Sequence, residues 1–225
     1  MYKLSPSDFA YLWEDCRYCF YQKVKLGNSY SGPFPAMFGK INNLVQNSIM
    51  GKNLQDVISG LPSGVISVQE GFLKSVPING TNCFVSGRFD ILSKLDDGSY
   101  ALIDFKITTP DEEKILKKYA TQLHAYKYAL ENPAEGKAPL KISKMGIVSI
   151  NPDEMKIVDG KIHLTSTPAF HPVDEDMESF FSLIDQIAEV LNGEMPKESI
   201  ECRLCIYRNN FSPKKTATTG EDIPF

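Results

Sequence analysis

The sequence predicts an α/β domain in which a mixed central β-sheet is flanked by helices. Three stretches carry that expectation. They are a β-hairpin around Asp96-Asp97-Gly98, a long helix directly after it, and an apolar run over 144–150 that reads as a buried strand. The 225 residues are enough for one sizeable core and short for two full domains. One domain over 1–211 followed by a tail over 212–225 is therefore expected.

From the N-terminus, the first element is a capped helix. Ser5 is the cap, Pro6 fits the first helical position, and Asp8 stands three residues after the cap. Phe9, Leu12 and Trp13 supply its apolar face. After a loop rich in Gly, Ser and Pro over 27–35, a second helix over 35–50 spaces Phe38, Ile41, Leu44, Val45 and Ile49 on one face. Strand patterning starts near Val65, and segments 83–95 and 99–108 form the hairpin. The helix over 111–131 brings Leu123, Tyr126, Tyr128 and Leu130. An irregular or hairpin stretch over 151–167 precedes a last long helix over 173–191, carrying Phe180, Leu183, Ile184, Ile187 and Val190 and stopped at Asn192-Gly193. From Ser212 the chain is polar until its last residues, which predicts a disordered tail.

Composition is that of an ordinary globular enzyme, with 42% hydrophobic and 23% charged residues. The net charge of −4 and pI near 5.5 argue against a DNA-coating protein, yet leave room for a local basic groove. No stretch has the ~20 apolar residues needed to span a bilayer. The opening MYKLSPSDF lacks a secretory pattern, so a cytoplasmic, membrane-free protein is expected.

The hairpin concentrates the chemistry. A three-residue loop at 96–98 sets Leu95 opposite Ser99, which places Asp90 opposite Asp104 and Arg88 opposite Lys106. Strand alternation puts Asp104 and Lys106 on one face, with Phe89, Ile91, Ile103 and Phe105 on the other. Facing like charges destabilise a sheet, and a cation between them removes that cost. Oxygen donors suit Mg²⁺ or Mn²⁺, which activate water at a phosphoryl centre, and a neighbouring lysine can orient that water. The bland alternative is a solvated hairpin face.

The ordered set G-R-F-D (87–90), I-D-F-K (103–106) and Q-L-H-A-Y (122–126) resembles the PD-(D/E)XK nuclease superfamily, in its RecB-like, CRISPR-associated exonuclease branch. L-S-P-S near the start and the flanking cysteines also fit, so the resemblance covers the folded chain. It implies a restriction-endonuclease-like core that hydrolyses DNA from ends or on single strands. Asp90 and Asp104 would be metal ligands, Lys106 catalytic, and Gln122 and Tyr126 supporting residues on one helix face. Glu70 is a candidate extra carboxylate. Members of this branch often carry a metal-binding His about four residues after a Gly on an early helix. Here Gly39 is followed by Lys40, Ile41, Asn42 and Asn43, which keeps open a DNA-binding adaptor with weak or lost activity.

Cys16 and Cys19 form one C-x-x-C pair and Cys202 and Cys205 another, at opposite ends of the chain. If the termini pack together, four thiolates suit tetrahedral zinc or an iron–sulfur cluster. The resemblance puts a [4Fe-4S] cluster first, because such relatives staple their termini with one. Their usual one-plus-three division of ligands differs from the two-plus-two here, which keeps Zn²⁺ open. Either way the expected role is a structural clasp. Cys83 reads as a buried strand residue. Tyr18, Phe20 and Tyr21, with Arg17 and Lys23, read as packing around the clasp rather than as stacking surfaces for DNA. His124 reads as a helix-surface or supporting residue, and His163 and His171 lack convergent partners.

The ending G-E-D-I-P-F resembles the C-terminal tip of bacterial single-stranded-DNA-binding protein. By that likeness Asp222, Ile223, Pro224 and Phe225 would dock on proteins that read that tip, through the ring and the terminal carboxylate.

Overall fold

The computed structural model describes residues 1–29 and 36–211. The chain opens with β1 (Tyr2–Leu4), then α1 (Pro6–Asp8) running into a π-helical turn at Phe9–Trp13, then α2 (Arg17–Leu26). Helices α3 (Ala36–Ile49) and α4 (Leu54–Val57) precede β2 (Val65–Gln69), β3 (Phe72–Lys74), β4 (Cys83–Arg88), β5 (Ile91–Lys94) and β6 (Tyr100–Ile107). Helix α5 (Glu112–Glu131) leads to β7 (Ile142–Ile150), β8 (Pro152–Val158), β9 (Lys161–Ser166) and β10 (Ala169–Pro172). Helices α6 (Met177–Asn192) and α7 (Arg203–Phe211) follow.

The central sheet has five strands in the order β10-β7-β6-β5-β2. Strands β6 and β7 run parallel and the other pairs antiparallel, so the sheet is mixed, as the sequence predicts. Helix α5 supplies the crossover that a parallel pair requires. It starts where expected because the Asp111 carboxylate accepts from Lys114 N–H, and Glu112 and Glu113 complement the helix dipole. A smaller sheet, β1-β4-β3, stands beside the first, and β8 with β9 makes a separate hairpin.

Residues 101–105 of β6 are all buried. Leu102 joins a core with Leu92, Leu123 and Tyr126, while Ala101, Ile103 and Phe105 join a second core with Ile49, Leu54 and Val148. Strand alternation therefore places Asp104 on the α5 side, inside a sheet covered on both faces. The predicted clean division into a core face and a solvated face does not hold.

The turn at 96–98 closes as expected. Gly98 adopts φ +82°, Leu95 N–H donates to Ser99 O at 2.9 Å, and β5 pairs β6 with Ile91 opposite Ile103. The segment over 83–95, however, is two strands rather than one. Arg88 pairs with Phe72 in the smaller sheet, not with Lys106. Phe89 packs into the α5-side core, because its ring occupies the space that a Cβ on Gly71 would need, 2.1 Å away.

Two helix expectations also change. Ser5 makes no side-chain cap bond, and the first helix passes into the π-helical turn after Asp8, whose carboxylate pairs with Lys23. Helix α3 forms where predicted, but Phe38 and Leu44 are 40% and 60% exposed, so only part of its apolar face is covered. Cys83 is fully buried in β4, and Phe20 and Tyr21 are core residues. The tail from 212 onward, with Asp222 to Phe225, lies outside the described residues.

Candidate active site

Asp90 sits where the chain leaves the smaller sheet for the central one. Extending the β5–β6 register by one residue sets it opposite Asp104. Its Oδ2 accepts from Phe105 N–H at 2.8 Å, so one carboxylate oxygen is fixed against β6 between Asp104 and Lys106. Burial pushes the Asp90 carboxyl up to about 7 and the Asp104 charge pushes the same way, against Lys106 and the Phe105 N–H.

Asp104 is 2% exposed. Lys106 Nζ lies 2.6 Å from its Oδ2, which has no other donor among the described residues. Gln122 Nε2 approaches Oδ1 at 3.4 Å and donates to the Tyr126 hydroxyl at 2.8 Å. Burial alone would pull the Lys106 ammonium down. The adjacent Asp104, then Asp90, reverse the shift and hold it charged. Tyr126 is pushed up chiefly by burial and then by Asp104, so it stays a neutral phenol. Gln122 Oε1 is buried with no hydrogen-bond partner among the described residues.

The structure thus brings Asp90, Asp104, Lys106, Gln122 and Tyr126 together. The facing Asp90 and Asp104 carboxylates are oxygen donors, and Asp104 Oδ2 has only Lys106 beside it among the described residues, which fits a hard divalent cation such as Mg²⁺ or Mn²⁺. Glu70 is placed differently. It is exposed at φ +47°, and it donates its main-chain N–H to Asp90 O at 2.7 Å. Its charge raises the Asp90 carboxyl further, but its carboxylate does not converge with the pair into a ligand cluster.

A cavity of about 320 Å³ opens beside Lys106, lined by Tyr11, Phe38, Gly39, Asn42, Phe105, Ile107 and Tyr119. Asn42 therefore faces the same cleft as Lys106. The sequence reading missed Tyr11 and Tyr119. Tyr119 had a signal, since 119, 122 and 126 share one face of α5. Tyr11 had none, because a π-helical turn sets its direction.

The two cysteine pairs do meet. Cys16 Sγ is 3.7 Å from Cys205 Sγ, and Cys19 Sγ is 3.8 Å from Cys202 Sγ and 3.5 Å from Cys205 Sγ. All four are buried, with sulfurs within 4.8 Å of one another. They are the one convergent set of three or more His, Cys, Asp or Glu side chains among the described residues. Four convergent thiols fit a bound metal at the joined termini.

His124 is neither at the surface nor a ligand. Its Nδ1 faces Ala120 O at 2.8 Å, and its Nε2 accepts from Asp176 N–H at 2.8 Å, tying α5 to the start of α6. His171 does have a partner, Ser149 Oγ at 2.9 Å. No helix among the described residues is long and apolar enough to cross a membrane.

A mixed sheet flanked by helices is the restriction-endonuclease-like architecture that the sequence resemblance implies. The model of the PD-(D/E)XK nuclease superfamily matches residues 52–210, and the chain belongs to that superfamily. One similar solved structure, "Crystal structure of SSO0001", is 14% identical, covering 94% of this chain and 85% of that one at a TM-score of 0.48. Comparison with curated proteins gives no match.

Proposed function

We propose that this protein is a cytoplasmic, metal-dependent DNA nuclease of the RecB-like branch, acting from ends or on single strands in repair, recombination or replication. The observation that carries the reading is the placement of Asp90 and Asp104 across β5 and β6 with Lys106 Nζ 2.6 Å from Asp104. These two carboxylates would hold Mg²⁺ or Mn²⁺, which when bound supplies Lewis acidity and an ionisable water.

The protein's own groups do the rest. The Phe105 N–H fixes one Asp90 oxygen. Gln122 holds Asp104 and the Tyr126 phenol in one row, keeping the carboxylate aimed. The charged Lys106 orients the attacking water and offsets negative charge on the phosphate. Glu70 adds negative potential rather than a ligand.

The test is cleavage of end-labelled single- and double-stranded DNA with Mn²⁺. Asp104→Ala and Lys106→Ala are expected to lose about 10³-fold or more in rate while remaining folded. Variants that cut like wild type sink the assignment. Asparagines at 42 and 43, where the branch often has a His about four residues after a Gly, favour a second reading, a DNA-binding adaptor with little catalysis. Wild-type protein that binds DNA and cuts none selects it. Docking of Asp222, Ile223, Pro224 and Phe225 on proteins that read the single-stranded-DNA-binding protein tip is proposed on sequence likeness alone.

For the clasp, three of the six sulfur–sulfur distances are 3.5–3.8 Å and the rest lie within 4.8 Å, which supports Zn²⁺. A tetrahedron with ~2.3 Å zinc–sulfur bonds has edges of about 3.8 Å. A [4Fe-4S] cluster binds each thiolate to a different iron and needs the sulfurs further apart. A colourless protein with stoichiometric zinc is expected. A brown one would restore the cluster.

A further inference from the structure

The cleft beside Lys106 has an aromatic wall that the catalytic reading does not use. Tyr11, on the π-helical turn, and Tyr119, on α5, have ring centroids 5.9 Å apart and hydroxyls 2.9 Å apart. Lys118 Nζ lies 4.4 Å from the Tyr11 ring and 5.3 Å from the Tyr119 ring, while Lys106 Nζ lies 4.9 Å from the Tyr119 ring. Tyr119 is buried, whereas Tyr11 is 49% exposed and Phe38, across the cavity from α3, is 40% exposed.

Resting on the nuclease reading, we propose that this wall is a subsite for the unpaired nucleotide next to the scissile phosphate, which makes single strands and frayed ends the substrate. Size is the first argument. A cavity of about 320 Å³ takes one nucleotide, and the bases of an intact duplex stay stacked in the helix, out of its reach. Chemistry is the second. Exposed rings offer a stacking surface to any base, and cations beside them meet the backbone. Lys118 is exposed at this wall, so the attraction is local although the chain is acidic overall.

The third argument is the local backbone. A π-helical turn is rare and found mostly at functional sites, and this one sets Tyr11 against α5, on the face that carries Gln122 and Tyr126. Lys106 links the two regions directly, because it pairs with Asp104 and also approaches the Tyr119 ring. Stacking does not read base identity, so the subsite carries no sequence preference.

The experiment is fluorescence anisotropy of a labelled DNA oligonucleotide, single-stranded or as a blunt duplex, with the full chain and no Mg²⁺ or Mn²⁺ added, so that nothing is cut. Wild type is expected to hold the single strand at least about tenfold more tightly than the duplex. Tyr11→Ala loses about tenfold on the single strand and nothing on the duplex. Tyr11→Phe keeps the ring and removes only the hydroxyl bond to Tyr119, and retains the preference. Equal wild-type affinity for both DNAs, or Tyr11→Phe as damaging as Tyr11→Ala, overturns the subsite. Selective binding by a protein that never cuts would leave the subsite standing and remove the nuclease reading. Cutting a blunt duplex as fast as a single strand would do the reverse.

Discussion

Two polar clusters interrupt the apolar interior, and they are built on opposite plans. The cysteine cluster at the joined termini is a closed ligand set: four buried thiols converge within 4.8 Å from two short helical segments, enough to fill a tetrahedral site, and Arg208 donates to Cys205 Sγ at 3.5 Å. The carboxylate cluster is open: Asp104 is buried, but its partner Lys106 borders a cavity, and Gln122 Oε1 has no hydrogen-bond partner among the described residues. Closure suits a metal that holds structure, and an open position suits a metal that meets a substrate. The closed cluster should therefore govern stability, and the open one activity at some cost in stability.

The largest stability effect is expected at the clasp. Cys205→Ser should release the bound metal and lower the melting temperature by about 10 °C or more, read by metal analysis and a thermal scan. Unchanged melting would mean that the thiols hold nothing that matters to the fold. On the open side, Gln122→Ala frees Asp104 from its helix partner. It should reduce Mn²⁺-dependent cleavage about 10- to 100-fold with little change in melting. The smallest expected effect is a gain. Asn42→His puts an imidazole in the cleft beside Lys106 and should raise cleavage by about tenfold at limiting metal. No gain there would show that the α3 position is too far from the carboxylate pair to share a cation.

Much of the open site was legible because local chemistry fixes it. Gly98 in the left-handed turn set the register, and that register alone put Asp90 across from Asp104. Asp111, Glu112 and Glu113 marked the start of α5, so Gln122 and Tyr126 fell on a known face. The switch of sheet at Phe89 was not legible, because it depends on a ring packing over Gly71, a contact distant in character from any strand pattern. For the same reason Arg88 was set opposite the wrong residue. In the clasp, the cysteines announced a metal but not their spacing, which tertiary packing decides. Tyr11 was hidden because a π-helical turn breaks the helical periodicity by which faces are read.

The measurement that tests the central claim most directly is Asp90→Asn, followed by melting without added Mg²⁺ or Mn²⁺ and by cleavage with Mn²⁺. The Asp90 carboxyl, raised to about 7 in the folded chain against an ordinary value of 3.8, binds its proton more tightly when folded. Its contribution to stability is therefore full below about 4 and lost as pH rises through about 7. Asparagine keeps the acceptor for Phe105 N–H and removes the charge. At pH 8, without added Mg²⁺ or Mn²⁺, the variant is expected to be more stable than wild type by on the order of 2 kcal/mol, yet with Mn²⁺ to cut DNA about 10³-fold more slowly. A variant that melts lower and cuts normally would contradict it, and would return Asp90 to the status of an ordinary buried polar residue.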